Sequence, residues 1–216
     1  MGLAKWKSLR RYIFKNLMDM NKAVFLDRDG VINEIVFHED VEVLDSPFNV
    51  QQVRILEDVF VAIAIFNQLG YKVLVVTNQP GAAKGKMSLA RIDEVNQHIV
   101  NLASKSGAQI DQVYCCPHHP IGTPGGNPDL IKPCKCRKPG TGLLLAGIDE
   151  HKIDINLSYM VGDSISDIQA GKAVGLTTVL VGDLKCDARR LYEEKGCLPD
   201  SVFQSLAPFA QSLELK

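Results

Sequence analysis

The chain has 216 residues, 46% hydrophobic and 23% charged, enough for one well-buried globular domain with or without an insert and too few for two of full size. Its 24 basic and 25 acidic residues leave a net charge of -1, so no overall positive field draws nucleic acid or an anionic membrane, and any anion must be held by a local site. No apolar run approaches the roughly 18 residues of a membrane span, and no signal-peptide pattern opens the chain, so the expected compartment is cytoplasmic.

Residues 1–22 interleave Lys5, Lys7, Arg10, Arg11, Lys15 and Lys22 with Trp6, Leu9, Tyr12, Ile13, Phe14 and Leu17, and read as an N-terminal extension with no assigned function. A single domain is expected over residues 23–216. From Ala23 onward short β-branched runs alternate with helical patterns, the signature of an α/β fold built on a Rossmann-like, doubly wound parallel sheet. Strands are expected at Ala23–Leu26, Lys72–Val76, Gln109–Tyr114, Leu157–Val161 and Thr177–Val181. Helices are expected over Val53–Leu69, closed by Gly70, from the Ser88 cap to about Ser104, over Thr141–Glu150, and over Ile165–Val174, closed by Gly175. The stretch Val31–Phe48 has the length of a small flap and leaves no room for a large cap domain. Cys186–Leu198 is weakly helical, and Ser201–Leu213 reads as a short strand and a closing helix.

An open parallel sheet places its ligands at the carboxyl ends of its strands, and the polar motifs of this chain fall there. The first strand ends in Asp27-Arg28-Asp29-Gly30, two carboxylates separated by one residue before a glycine that lets the chain turn. The second ends in Thr77-Asn78-Gln79-Pro80-Gly81, neutral donors suited to phosphoryl oxygens. Arg137 and Lys138 place adjacent cations before a helix, and the fourth strand ends in Gly162-Asp163-Ser164-Ile165-Ser166-Asp167. Each alone has an ordinary structural explanation: solvated acids at a turn, an Asn-Pro-Gly loop, an acid complementing a helix dipole.

In this order, from Ala23 to about Val181, they resemble the four motifs of the haloacid dehalogenase superfamily of aspartate-nucleophile phosphatases. The resemblance implies the fold of that superfamily, Asp27 as nucleophile, Asp29 as general acid and base, Thr77 as the second-motif hydroxyl, Lys138 as the third-motif cation and Asp163 as a metal ligand. Phosphoryl-transfer chemistry is consistent with these roles. A phosphate monoester repels an attacking carboxylate unless positive charge compensates, and Mg²⁺ held by Asp27, Asp163 and the carbonyl oxygen of Asp29, with Asp167 holding a metal-bound water, would supply it together with Lys138. Thr77, Asn78, Gln79, Arg137 and Lys138 are the expected substrate contacts.

Four of the six cysteines lie in one short stretch, residues 115–137, beside two histidines. Cys116-Pro117-His118 and Cys134-Lys135-Cys136 are two pairs separated by a Gly/Pro-rich loop, the pattern of a closed tetrahedral site, and they point to structural Zn²⁺. Cys115 and His119 are adjacent competitors, and the spacing favours Cys116 with His118. Cys186 and Cys197 read as small apolar residues. The Cys-Pro-His-His-Pro and Cys-x-Cys-Arg-Lys-Pro segments look like those of the heptose-1,7-bisphosphate 7-phosphatases, and the related histidinol-phosphate phosphatases carry a similar zinc site. Ser164 departs from that pattern, where lysine is common. A monomer acting on a small sugar phosphate is expected, and the near-neutral charge and short apolar runs imply neither a nucleic-acid nor a membrane partner. A phospho-accepting receiver-type domain and a zinc-dependent interaction module are the alternatives from other classes.

Overall fold

A computed structural model describes residues 20–40, 42–182 and 186–215. The expected N-terminal extension, up to residue 19, lies outside the described residues, as does the side chain of Cys186. In chain order the strands are β1 (Lys22–Leu26), β2 (Val36–His38), β3 (Val43–Asp45), β4 (Tyr71–Asn78), β5 (Gln112–Cys116), β6 (Tyr159–Gly162), β7 (Thr177–Val181) and β8 (Ser201–Phe203). The helices are α1 (Val59–Gln68), α2 (Leu89–Lys105), α3 (Gly142–Glu150), α4 (Ile165–Val174), α5 (Cys186–Glu194) and α6 (Leu206–Glu214). Six strands form one sheet in the order β5-β4-β1-β6-β7-β8, and each neighbouring pair is parallel. The order reverses between β1 and β6, so the crevice beyond their carboxyl ends is the place for a ligand. The expected α/β architecture without a large cap is what is found.

Strand alternation divides the core between the two sheet faces. Val24 and Leu26 of β1 join Val73, Val75, Val161 and Val179 under α1, α2 and α6, whereas Ala23 and Phe25 join Leu74, Val76 and Met160 under α3 and α4. Helix α1 buries Val59, Ala62, Ile63 and Phe66 at a spacing of three and four, which sets one stripe against the sheet. The Phe66 ring packs on Phe209 of α6 with centroids 5.6 Å apart, and truncating it to alanine would cost about 3–5 kcal/mol.

Two element starts differ most from expectation. Helix α1 starts at Val59 rather than Val53, because the backbone before it is taken up elsewhere: Glu34 N–H donates to Arg54 O and Leu56 N–H to Ile32 O, and Asp58 then sits at φ 57°. Strand β5 starts three residues later than Gln109, since Gln109 N–H is taken by the Asn67 side chain and the Asp111 carboxylate accepts from Val73 N–H and Lys72 Nζ. Strands β2 and β3 form a two-stranded antiparallel hairpin in the expected flap. It is tied to the loop after β4 by the Asp45–Lys86 ion pair, and His38 stacks on Phe48 at 3.7 Å between centroids.

Candidate active site and metal centre

At the switch point β1 delivers Asp27 and β6 delivers Asp163, while Asp167 reaches back from the first turn of α4. Carboxylate oxygens of the three lie within 4.8 Å of one another. Two glycines permit this approach. Gly30 holds φ +81°, and a Cβ there would sit 2.1 Å from Asp163 Oδ2; a Cβ on Gly162 would sit 2.2 Å from Asp167 Cβ. Ser164 caps α4, its N–H and hydroxyl both donating to Asp167 Oδ2.

Among the described residues one side-chain cation, Lys138, pairs with this cluster. Lys138 is 3% exposed, with Nζ 2.9 Å from Asp27 Oδ1 and 2.6 Å from Asp167 Oδ1, and it donates to Val76 O at 2.7 Å. Burial works against its charge, but the carboxylates of Asp167 and Asp27 outweigh that and hold its pKa above the ordinary lysine value. Three carboxylates sharing one ammonium remain short of positive charge. Burial pushes Asp27 up to about 7, with Lys138 opposing and Asp167 adding to the rise. Burial and the Asp167 charge push Asp163 up to about 6. A set of hard oxygen donors in this electrostatic state fits a divalent cation such as Mg²⁺.

Lys138 is fixed by its backbone as well. Asn78 Nδ2 donates to Lys138 O at 3.0 Å, and Lys138 N–H donates to Asn78 Oδ1 at 2.9 Å, across a cis Lys138–Pro139 peptide. The Asn78 amide, expected among the substrate contacts, is thus engaged with Lys138 through Oδ1 and one Nδ2 hydrogen. Gln79, expected likewise, donates through Nε2 to Asp29 Oδ2 and to Thr77 Oγ1, while its N–H donates to Cys116 O. Thr77 is buried at the strand end, and because its oxygen accepts from Gln79, its own proton is left to donate. Arg137 leaves a buried Nη1 without a partner among the described residues, and its N–H donates to Cys134 Sγ at 3.4 Å.

Asp29 lies beside the cluster, gripped by Arg28. The Arg28 Nη2 donates to both Asp29 oxygens at 3.0 and 3.1 Å, and Nε donates to Oδ1 at 3.2 Å. Asn33 Nδ2 donates to the same oxygen at 2.9 Å.

The second cluster closes where β5 ends. Ligand atoms of Cys116, His118, Cys134 and Cys136 lie within 4.8 Å of one another; Cys116 Sγ is 3.6 Å from Cys134 Sγ and 3.0 Å from Cys136 Sγ, with the cysteines unbridged. His118 Nδ1 faces Cys136 Sγ at 3.3 Å. Burial and the neighbouring sulfurs raise the Cys116 thiol, whereas a bound cation favours thiolate, and three sulfurs with one imidazole fit tetrahedral Zn²⁺. Strand alternation separates the competitors: Cys116 faces α3, and Cys115 faces the opposite side with Ile92. His119 turns to the backbone of Ile121.

Residues 135–209 match the HAD-hydrolase-like family profile. Over 193 residues the chain is 34% identical to the D-glycero-β-D-manno-heptose-1,7-bisphosphate 7-phosphatase of Escherichia coli K12, covering 89% of this chain and 93% of that protein. The chain belongs to the haloacid dehalogenase-like phosphatases. The Vibrio cholerae enzyme of the same name is 38% identical over 159 residues, which is 74% of this chain and 80% of that one. The structure of the D,D-heptose 1,7-bisphosphate phosphatase from B. bronchiseptica, complexed with magnesium and phosphate, superposes with a TM-score of 0.70 at 28% identity and covers 90% of this chain and 98% of that one. As a member of this phosphatase family, the chain is a phosphoric monoester hydrolase. Among the described residues, no helix is long and apolar enough to cross a membrane.

Sequence reasoning left Arg28, Asn33 and Asn96, which all bear on the candidate site, without a role. Arg28 was visible inside the Asp-x-Asp motif, but nothing in the sequence says that it is 1% exposed. Asn96 interrupts the apolar stripe Ile92, Val95 and Ile99 of α2, which is the one signal that could have marked it.

Proposed function

We propose that this chain is a Mg²⁺-dependent phosphatase that removes the 7-phosphate of D-glycero-D-manno-heptose 1,7-bisphosphate through an aspartyl phosphate on Asp27, with structural Zn²⁺ held by Cys116, His118, Cys134 and Cys136. The observation that carries the chemistry is the gathering of Asp27, Asp163 and Asp167 around one buried lysine, with a fourth carboxylate, Asp29, alongside. The sugar assignment is supported by the heptose bisphosphate phosphatases among the relatives.

Asp27 and Asp163 would hold Mg²⁺, which would supply the positive charge that lets two anions approach. Asp167 would act through water, its Oδ2 accepting from Ser164 and its Oδ1 ion-paired with Lys138. An Asp27 oxygen attacks phosphorus, and the ester P–O bond breaks as Asp29 gives its proton to the departing alkoxide. Lys138 offsets the charge of the transferring group, and Thr77 donates its free proton to a phosphoryl oxygen. Water then attacks the phosphorus of the aspartyl phosphate while Asp29 takes its proton; the bond to Asp27 breaks and inorganic phosphate leaves.

The test is phosphate release from heptose 1,7-bisphosphate, histidinol phosphate and an aryl phosphate with Mg²⁺ present, with ³¹P NMR reporting which heptose phosphate is lost. Highest kcat/KM on the bisphosphate with loss at C7 is expected. Preference for histidinol phosphate would reassign the substrate, and no phosphate release from any of them would overturn the reading.

A further inference from the structure

Arg28 sits between the two carboxylates that the proposed reaction uses, and it holds both. Its N–H donates to Asp27 Oδ1 at 2.7 Å, while its guanidinium takes Asp29 through the Nε and Nη2 contacts. A side chain this long has several rotamers, and a fork contact fixes a carboxylate only if the fork itself is fixed. What fixes it comes from another element: Arg28 Nη1 donates to Asn96 Oδ1 at 2.6 Å, from the middle of α2, 68 residues away. Arg28 is 1% exposed and Asn96 8%, so water does not replace the bond readily. Asn96 occupies a position where the helix otherwise buries Ile92, Val95, Ile99 and Ala103, and a polar residue there costs stability unless it is bonded.

We propose that Arg28 and Asn96 are positioning residues for the proton transfers of Asp29: α2 holds Asn96, Asn96 holds the guanidinium, and the guanidinium holds the Asp29 carboxylate where it meets the leaving group and the hydrolytic water. The inference rests on the assignment of Asp29 as acid and base. The chemistry separates this role from general damage. With p-nitrophenyl phosphate, nitrophenolate leaves Asp27-bound phosphorus without needing a proton, so loss of Asp29 function spares the first step. Hydrolysis of the aspartyl phosphate still needs a base, so the second step slows.

The experiment is stopped-flow turnover of p-nitrophenyl phosphate with Mg²⁺ by the full chain, for wild type, Asp29→Asn, Asn96→Ala, Asn96→Asp and Arg28→Lys, alongside steady-state rates on an alkyl phosphate. Asp29→Asn should release about one nitrophenolate per chain in a burst and then turn over slowly. Asn96→Ala should show the same split, with the second step and alkyl kcat slowed on the order of 10- to 100-fold and KM little changed, the scale of a small misplacement of a reacting group. Asn96→Asp keeps the accepting oxygen and should restore both rates. Arg28→Lys, which keeps the charge and loses the fork, should repeat the Asn96→Ala pattern, so the inference is tested even where one variant folds poorly. Slowing of both steps alike in Asn96→Ala and Arg28→Lys, without a burst, would overturn the positioning role while leaving Asp29 as acid and base if Asp29→Asn still bursts. Absence of a burst in Asp29→Asn would overturn that assignment and the inference with it.

Discussion

Replacing Asp27 with asparagine should abolish turnover and, without Mg²⁺, make the protein more stable at pH 8. Burial pushes the Asp27 carboxyl from 3.8 up to about 7, Lys138 opposing and Asp167 adding to it. Its folded-state pKa therefore lies above its unfolded one, so the native chain binds more protons than the unfolded chain between about pH 4 and 7. Across that window stability falls as pH rises, by about 1.4 kcal/mol for each pH step of one, or about 4 kcal/mol in full. The Asp27 side chain is 15% exposed, so water at the mouth lowers the cost to roughly 2–3 kcal/mol. Asparagine keeps the oxygen that accepts Arg28 N–H and carries no charge to desolvate. At pH 8 the variant should melt roughly 4–12 °C above wild type for a chain of this size, and at pH 5 the gap should shrink. Calorimetry across this range in Mg²⁺-free buffer measures it. Added Mg²⁺ should raise wild type more than the variant, because binding to the native state stabilises it by mass action. Parallel pH dependences for the two proteins, or a variant no more stable than wild type at pH 8, would refute the account of a carboxylate held against its solvation.

Asn78→Ala removes both hydrogen bonds to the Lys138 backbone and should cost about 1–3 kcal/mol of stability together with a fall in kcat; a defect confined to KM would return Asn78 to the substrate contacts. Metal analysis of protein purified without chelator should find about one zinc per chain, and Cys136→Ser should lower both that content and the melting temperature; absence of zinc would refute the structural site. Arg137→Ala should leave an aryl phosphate nearly untouched and lower kcat/KM on the bisphosphate by about 2–4 kcal/mol; equal loss on both would place Arg137 in the chemical core.

The parallel sheet was legible because its strands are short apolar runs that stop at polar motifs, and α4 because Ser164, Asp167 and Gly175 mark its ends. The start of α1 was not: Val53-Arg54-Ile55-Leu56 has helical spacing, and only the distant backbone of Ile32 and Glu34 shows that its polar groups are taken. Asp27, Asp29 and Asp163 fall in motifs just beyond strand ends, Asp167 in the first turn of α4 and Lys138 in the Arg-Lys-Pro segment before α3, so each is marked by its local sequence. The partners of Asn78, Gln79 and Arg28 are set by tertiary contact. An amide that reads as a substrate contact from its neighbours therefore proves, in the fold, to hold a lysine, and an arginine between two aspartates proves to be buried against a helix far along the chain.

The two clusters meet at Lys138, and their closeness has a physical logic. Asp27 and Asp163 sit at the ends of adjacent buried strands, so the sheet fixes them at little further cost. The cation that balances them comes from a loop rich in proline and glycine, which is the element least able to hold a charge within tenths of an ångström. This loop is restrained on each side of Lys138. Before it, Cys134 and Cys136 join Cys116 at the end of β5, and Arg137 N–H leans on the Cys134 sulfur. After it, Gly140 N–H donates to Arg137 O and Gly142 N–H to Lys135 O as α3 begins. Asn78 at the end of β4 closes the arrangement from the sheet. A metal held by these four residues would thus act on the proposed catalysis through the backbone, by setting where one ammonium group stands relative to the carboxylates of Asp27 and Asp167.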